Sequence, residues 1–252
     1  MRLVSLLVAS LLLVGPATSA RAEVAVDSDH VLVISSLIAE GNLLPFGARL
    51  LQLASSEKEG DSQVDLVIHS PGGEVETGFI FISMMDQARA RGLHIRCFVP
   101  ALAASMAFSI LNHCDERYVL DHSFLLFHRA RVLVGGMMGA PMTGPVARLL
   151  AEDLERLDST IFEETASSLQ ISRQTVLHHF DAETLHSGSD LCKMAPKYCV
   201  SLPVIPGLFE ALLSKQVPHT QNARLGIRGN GRGNPVPVYI SDRILRSRTG
   251  GR

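Results

Sequence analysis

Three short apolar, β-branched runs, separated by stretches of helical spacing, constrain this chain more than any other feature it carries. His30–Leu37 (HVLVISSL), Val64–His69 (VDLVIH) and Leu93–Val99 (LHIRCFV) each have the length and composition of a strand. Between them, Phe46–Glu57 brings Leu50, Leu51 and Leu53 within reach of one face, and Val75–Arg91 keeps helical spacing up to Gly92, a natural stop. Strands alternating with helices in this way predict βαβ units and a largely parallel sheet. Farther on, the small residues of Ala101–Ala107 lead into a helix, and Tyr118–Leu120 and Phe124–Phe127 form short strands. Gly135, Gly136 and Gly139 make a glycine-rich segment. Val146–Leu169 then predicts a long amphipathic helix, with Leu149, Leu150, Leu154, Leu157, Ile161 and Phe162 on or near one stripe. Ser172 is placed to cap a further helix running to His179.

The 252 residues suffice for one α/β domain with a sizeable core. Residues 1–22 are expected to be a signal peptide: Arg2, an apolar run from Leu3 to Val14, then small residues ending in Ala20-Arg21-Ala22. The run is too short to span a bilayer, which takes about 20 residues. Cleavage after Ala22 would leave a domain over 23–217, a tail over 218–252 and no transmembrane helix, in a periplasmic or secreted protein. From Arg224 to Arg252 the tail holds seven arginines and one acid, Asp242, and it is expected to be poorly ordered. A formal net charge of −2 offers no overall basic field for phosphates, which argues against a nucleic-acid partner.

Export changes the meaning of the four cysteines, Cys97, Cys114, Cys192 and Cys199. An even count in an oxidising compartment is compatible with two disulfides. Pairing Cys97 with Cys114 and Cys192 with Cys199 would close two short loops, but other pairings, or four buried thiols, fit the sequence too. Their spacing does not match a zinc site, and no metal is expected.

Two segments carry chemistry, each where an open α/β sheet places its sites, at strand ends. Ser70-Pro71-Gly72-Gly73 follows one strand and precedes a helix, so its N–H groups can face a bound oxygen with no side chain in the way. Ala103-Ala104-Ser105-Met106-Ala107 sets a serine among small residues at a helix start, where a substrate can approach closely. Such a serine is also a common helix cap. Order and spacing favour chemistry, because the strand after that helix ends in His128. A serine hydroxyl becomes nucleophilic when an imidazole takes its proton.

The three stretches IHSPGGEVETG, ALAASMAFSI and SFLLFHRA resemble, in that order, the proteolytic subunit family of the Clp protease. The resemblance covers about Val31 to Leu191 and implies an α/β fold of the ClpP/crotonase type, with repeated ββα units and a mainly parallel sheet flanked by helices. It implies Ser105 as nucleophile, His128 as base, and the Gly73 and Met106 N–H groups as oxyanion hole. It further implies that Gly135–Gly139 and the long helix form an oligomer-contacting handle in a homo-oligomer, with a peptide or unfolded protein as substrate and no cofactor. The family's acid is an aspartate two residues before a Phe-Leu-Ser segment. Laying Leu185-His186-Ser187 on that segment puts Glu183 at its place, with Asp181 two residues earlier. The remaining histidines, His69, His94, His178 and His179, are expected to be satisfied structural residues.

Four readings follow. The first is an exported peptidase that acts without ATP or a metal. The second is a binding or assembly module of the same fold that has lost its acid. A crotonase-like enzyme would not need the serine–histidine pair, and a serine–lysine peptidase would need a lysine beside Ser105.

Overall fold

The computed structural model describes residues 24–26, 30–56, 63–131 and 143–214. The expected signal peptide, the glycines at 135–139 and the basic tail lie outside the described residues. The elements in chain order are β1 (Val31–Ile34), α1 (Glu40–Ser56), β2 (Gln63–Ile68), α2 (Val75–Arg89), β3 (His94–Val99), β4 (Leu102–Ala104), α3 (Met106–Asn112), β5 (Glu116–Leu120), β6 (Phe124–Leu126), α4 (Gly144–Leu169), α5 (Arg173–Ala182), β7 (His186–Ser187), α6 (Gly188–Met194), β8 (Val200–Leu202) and α7 (Leu208–Ser214).

Five strands form one parallel sheet in the order β1-β2-β3-β5-β8. Successive side chains of a strand point to opposite faces, so each central strand contributes to two cores. Val64, Leu66 and Ile68 of β2, with Ile95, Cys97 and Val99 of β3, enter the larger core beside Leu50, Phe81, Phe108 and Phe180 of the helices. Val67 and Phe98 point the other way, into a smaller core closed by Ile205 and Leu208, with Val24 and Val26 packed against it. Because both faces are covered, β2 and β3 are apolar almost throughout. The exception is a pair in direct register, Asp65 and Arg96. Asp65 is fully buried and accepts two hydrogen bonds of 2.8 Å from the Arg96 guanidinium.

A second, three-stranded sheet in the order β4-β6-β7 stands beside the first, with β4 and β6 parallel and β7 antiparallel to β6. The sequence pattern did not announce β4, because Leu102–Ala104 is too short and too small-sided to show a strand period. α1 starts at Glu40, six residues before the expected Phe46. Pro45 lies inside the helix although its nitrogen cannot donate. The earlier turn is held instead by side chains: Asn42 Oδ1 accepts the Ala39 N–H at 3.0 Å, and Glu74 Oε2 accepts the Glu40 N–H at 3.3 Å.

Two disulfides join Cys97 to Cys114 and Cys192 to Cys199. The first ties β3 to the residues just after α3; the second ties α6 to the start of β8. Among the described residues, no helix is long and apolar enough to cross a membrane.

Candidate active site

The small sheet positions the two groups that matter most. β4 pairs with β6 so that Ala104 lies beside Leu126, and the Ser105 N–H donates to the Leu126 carbonyl at 2.8 Å. Ser105 and His128 therefore leave the same edge of two parallel strands, one and two residues beyond the paired ends. Phe127 anchors the second of these. It is buried, stacks on His186 at 5.4 Å between ring centroids and packs against Phe108 and Phe180.

Ser105 occupies a sharp turn between β4 and α3 with φ 57° and ψ −127°, a backbone conformation that costs about 1–3 kcal/mol for a residue with a side chain. Serines held in strained strand-to-helix turns stand clear of their neighbours and face the end of the sheet. Although Ser105 precedes the first helical residue, its hydroxyl makes no capping bond to α3. The plainest alternative for this serine, a helix cap, is thus not what the hydroxyl does.

The glycine turn is fastened on both sides. Ser70 donates its N–H to Leu102 and accepts from Ala104, and the Ile38 N–H donates to the Gly72 carbonyl at 2.8 Å. The Glu74 N–H donates back to Ile38 at 3.0 Å, which makes a parallel bridge between Ile38 and Gly73. In such a bridge the central residue's own N–H faces away from its partner, so that of Gly73 faces away from Ile38. Gly72 has φ +94°, and a side chain there would come within 2.6 Å of the Ala104 carbonyl and 2.7 Å of the Ser105 Cβ. Met106 is the first residue of α3, and the first N–H groups of a helix have no partner within it. Gly73, Ser105, Met106 and His128 line one pocket of about 90 Å³, together with Val75, Phe127, Arg131 and Ile161. Two N–H groups, a hydroxyl and an imidazole around one small cavity can bind a carbonyl oxygen and activate an attacking oxygen.

Burial lowers the proton affinity of His128 below the ordinary imidazole range, and the charge of Arg131 pushes the same way. Glu183, Asp158 and a backbone bond at Arg129 oppose the shift. Nδ1 of His128 is buried and has no hydrogen-bond partner among the described residues. The two carboxylates expected nearby have been separated. Asp181 accepts from Arg129 at 2.8 Å and does not figure among the charges acting on His128. Glu183 accepts from Arg131. The β6–β7 register pairs Phe124 with Ser187 and Leu125 with His186. The ladder ends there: Asp181 lies in the last turn of α5, and Glu183 caps that helix in the left-handed conformation, with φ 50°.

Four residues here went unremarked in the sequence. Asp158 is nearly buried on α4, accepts the Ala130 N–H at 2.6 Å and accepts from Arg129 at 3.2 Å. A signal existed: Asp158 falls four residues after Leu154 and three before Ile161, a lone acid inside an apolar stripe. Arg129 and Arg131 had no such signal. His186, only 7% exposed, has its Nε2 without a hydrogen-bond partner among the described residues, and its ring centroid lies 4.6 Å from that of His179. The expectation that the other histidines are satisfied fails at His69, whose buried Nδ1 also has no hydrogen-bond partner among the described residues. His94 is paired with Glu116 at 3.3 Å and His179 with Thr184 at 3.3 Å.

A parallel sheet flanked by helices, with a small second sheet that presents a strained serine and a strand-end histidine beside a double-glycine turn, defines an α/β fold of the Clp protease type. The family model described as Clp protease matches residues 24–194, and the chain belongs to that family. Among curated relatives, the ATP-dependent Clp protease proteolytic subunit 1 of Chlamydia abortus is 29% identical over 119 residues, which are 44% of this chain and 57% of the relative. The corresponding subunit 2 of Bacillus licheniformis is 24% identical over 145 residues, 56% of this chain and 72% of the relative. The subunit 1 of Gloeobacter violaceus is 32% identical over 132 residues, 51% and 63%. The chain thus spans between about half and three quarters of the length of these relatives.

Proposed function

We propose that this chain is an exported serine peptidase with Ser105 as nucleophile and His128 as general base. The observation that carries the reading is the convergence of Ser105, His128, Gly73 and Met106 on one pocket. In the proposed reaction the Ser105 Oγ forms a bond to the peptide carbonyl carbon while its proton passes to Nε2 of His128. The carbonyl oxygen takes up the negative charge between the N–H groups of Gly73 and Met106, each worth about 3–4 kcal/mol in comparable sites. The tetrahedral species collapses, the C–N bond breaks, and His128 returns its proton to the leaving amine. Water then attacks the acyl-enzyme by the same route, releasing the acid and restoring the serine. Glu183 is the acid that would orient the imidazole, supported by its charge on that ring and by its bond to Arg131, which lines the same pocket.

Membership of the Clp protease family supports the peptidase class, and the two disulfides support an oxidising compartment reached through the signal peptide. ATP is not expected there, so the enzyme would act alone on peptides or unfolded segments. The electrophile is activated by two N–H groups, and the scheme calls for no metal. Val146 and Leu149 stay exposed at the start of α4, which supports a homo-oligomer built through that helix.

One observation favours a second reading, a non-catalytic binding module. Nδ1 of His128 has no hydrogen-bond partner among the described residues, and both expected acids are held by arginines. Labelling of the mature protein by a fluorophosphonate separates the two. Labelling that Ser105→Ala and His128→Ala both abolish is the expected result; folded wild-type protein that never labels would leave the binding module.

A further inference from the structure

The third member of a serine–histidine site is useful only when its carboxylate faces Nδ1 of the imidazole. Here the carboxylate best placed for that task is tied elsewhere. Glu183 caps α5 three residues before His186, whose partner across the small sheet is Leu125, and its charge acts on His128. Yet Arg131, three residues beyond the base, donates its guanidinium N–H to Oε1 of Glu183. Asp158 and Asp181 are committed otherwise. Both are bonded to Arg129, and Asp158 also takes the Ala130 N–H. This leaves the segment after His128 clamped at Arg129 and Ala130 by two elements, α4 and the end of α5, while Arg131 reaches Glu183. The Arg131 and Glu183 side chains are 54% and 36% exposed, the regime in which an ion pair opens at little cost. Arg131 also lines the catalytic pocket, so an anion entering there would compete for it.

We propose that Arg131 is a positioning residue that holds Glu183 away from His128, and that the site gains activity when this ion pair opens and Glu183 takes the Nδ1–H. The proposal rests on the Ser105–His128 reading above. With the pair closed, the imidazole has no acceptor at Nδ1 and feels the arginine's charge. With it open, the carboxylate fixes the tautomer that leaves the Nε2 lone pair for the serine proton, and it favours the imidazolium that results. The charged groups that act on His128 are Arg131, Glu183 and Asp158, and only the first two rearrange.

The test compares fluorophosphonate labelling rates of the wild-type protein, Arg131→Ala, Glu183→Gln and the double variant. Arg131→Ala should label about five-fold faster or more, the factor an exposed ion pair is worth. Glu183→Gln alone should stay near the wild-type rate, and the double variant should lose the gain. The acid limb of the pH profile should move up in Arg131→Ala, and less in the double variant. In histidine-labelled protein, a far-downfield imidazole N–H resonance, the mark of a bond to a carboxylate, should appear in Arg131→Ala alone. If wild-type protein labels but Arg131→Ala is no faster and lacks that resonance, the latch is wrong and the nucleophile assignment stands. A gain that persists in the double variant would assign the effect to the arginine's charge alone and equally overturn the latch. If no folded variant labels at all, the serine-hydrolase reading itself falls, and the latch with it.

Discussion

Gly72 lies so close to Ser105 that a methyl group on it would sit 2.7 Å from the serine Cβ and 2.9 Å from the Met106 nitrogen. Backbone approaches that near are possible only where a residue has no side chain, and the φ of +94° asks for glycine on its own account. The turn that carries Gly73 and the turn that carries Ser105 are therefore one packed unit. Gly72→Ala should displace the serine from its oxyanion donors and lower fluorophosphonate labelling by about 10²-fold, the scale of a misplacement near 1 Å. A thermal melt of the same variant should show cooperative unfolding at reduced temperature. Labelling within a factor of two of wild type would mean that the two turns are not coupled.

If His128 is the base, its depressed proton affinity should set the pH range of labelling. A base works in its neutral form, and burial together with Arg131 keeps this imidazole neutral to lower pH than usual. Labelling should hold its rate as pH falls through the ordinary histidine value of about 6.5 and decline only below it. A decline centred at or above that value would contradict the environment described for His128.

His186 governs acid stability instead. Burial and the neighbouring His179 lower its value to about 4, with Asp190 opposing. Its folded value is below the unfolded one, so the unfolded chain binds the extra proton first. Stability is then full above about pH 6.5 and is lost progressively as pH falls toward 4, by on the order of 2–3 kcal/mol for this residue. His186→Phe should flatten the difference in melting temperature between pH 7 and pH 5, and Asp190→Asn should enlarge it. An unchanged difference in His186→Phe would place the acid sensitivity elsewhere.

The two disulfides should contribute unequally. A closed loop restricts the unfolded chain in proportion to the logarithm of its length, which gives about 3 kcal/mol for a separation of 17 and about 2 kcal/mol for a separation of 7. Replacing Cys97 and Cys114 together by alanine should lower the denaturation midpoint more than replacing Cys192 and Cys199. Equal effects would point to strain or residual structure rather than loop closure.

The sequence was most informative where the physics is local. The runs around Val64–Ile68 and His94–Val99 are apolar because both faces of the sheet are covered, and that pattern survives in one dimension. Ser105 and His128 were legible because a turn of small residues and a strand end leave recognisable text. The acid was not. Which of Asp181 and Glu183 lies nearer His128 depends on how α5 ends before β7 and on two arginines whose partners lie 52 residues away. Neither fact leaves a periodic trace. Residues from Val24 on likewise have no local reason to be structured; Val26 is held because its N–H reaches the Pro206 carbonyl at 2.9 Å, across nearly the whole chain. Asp158 lies between these cases: its place in an apolar stripe was visible, its partners were not.

The bond between Cys97 and Cys114 has a topological consequence. The backbone from β3 through β4 and α3 is a covalent ring, and Ser105 sits on its rim. Cutting one peptide bond within that ring opens it without releasing either piece. A peptidase could thus nick the segment that bears Ser105 and leave a single molecule. On a gel, such damage would be invisible until a reductant was added.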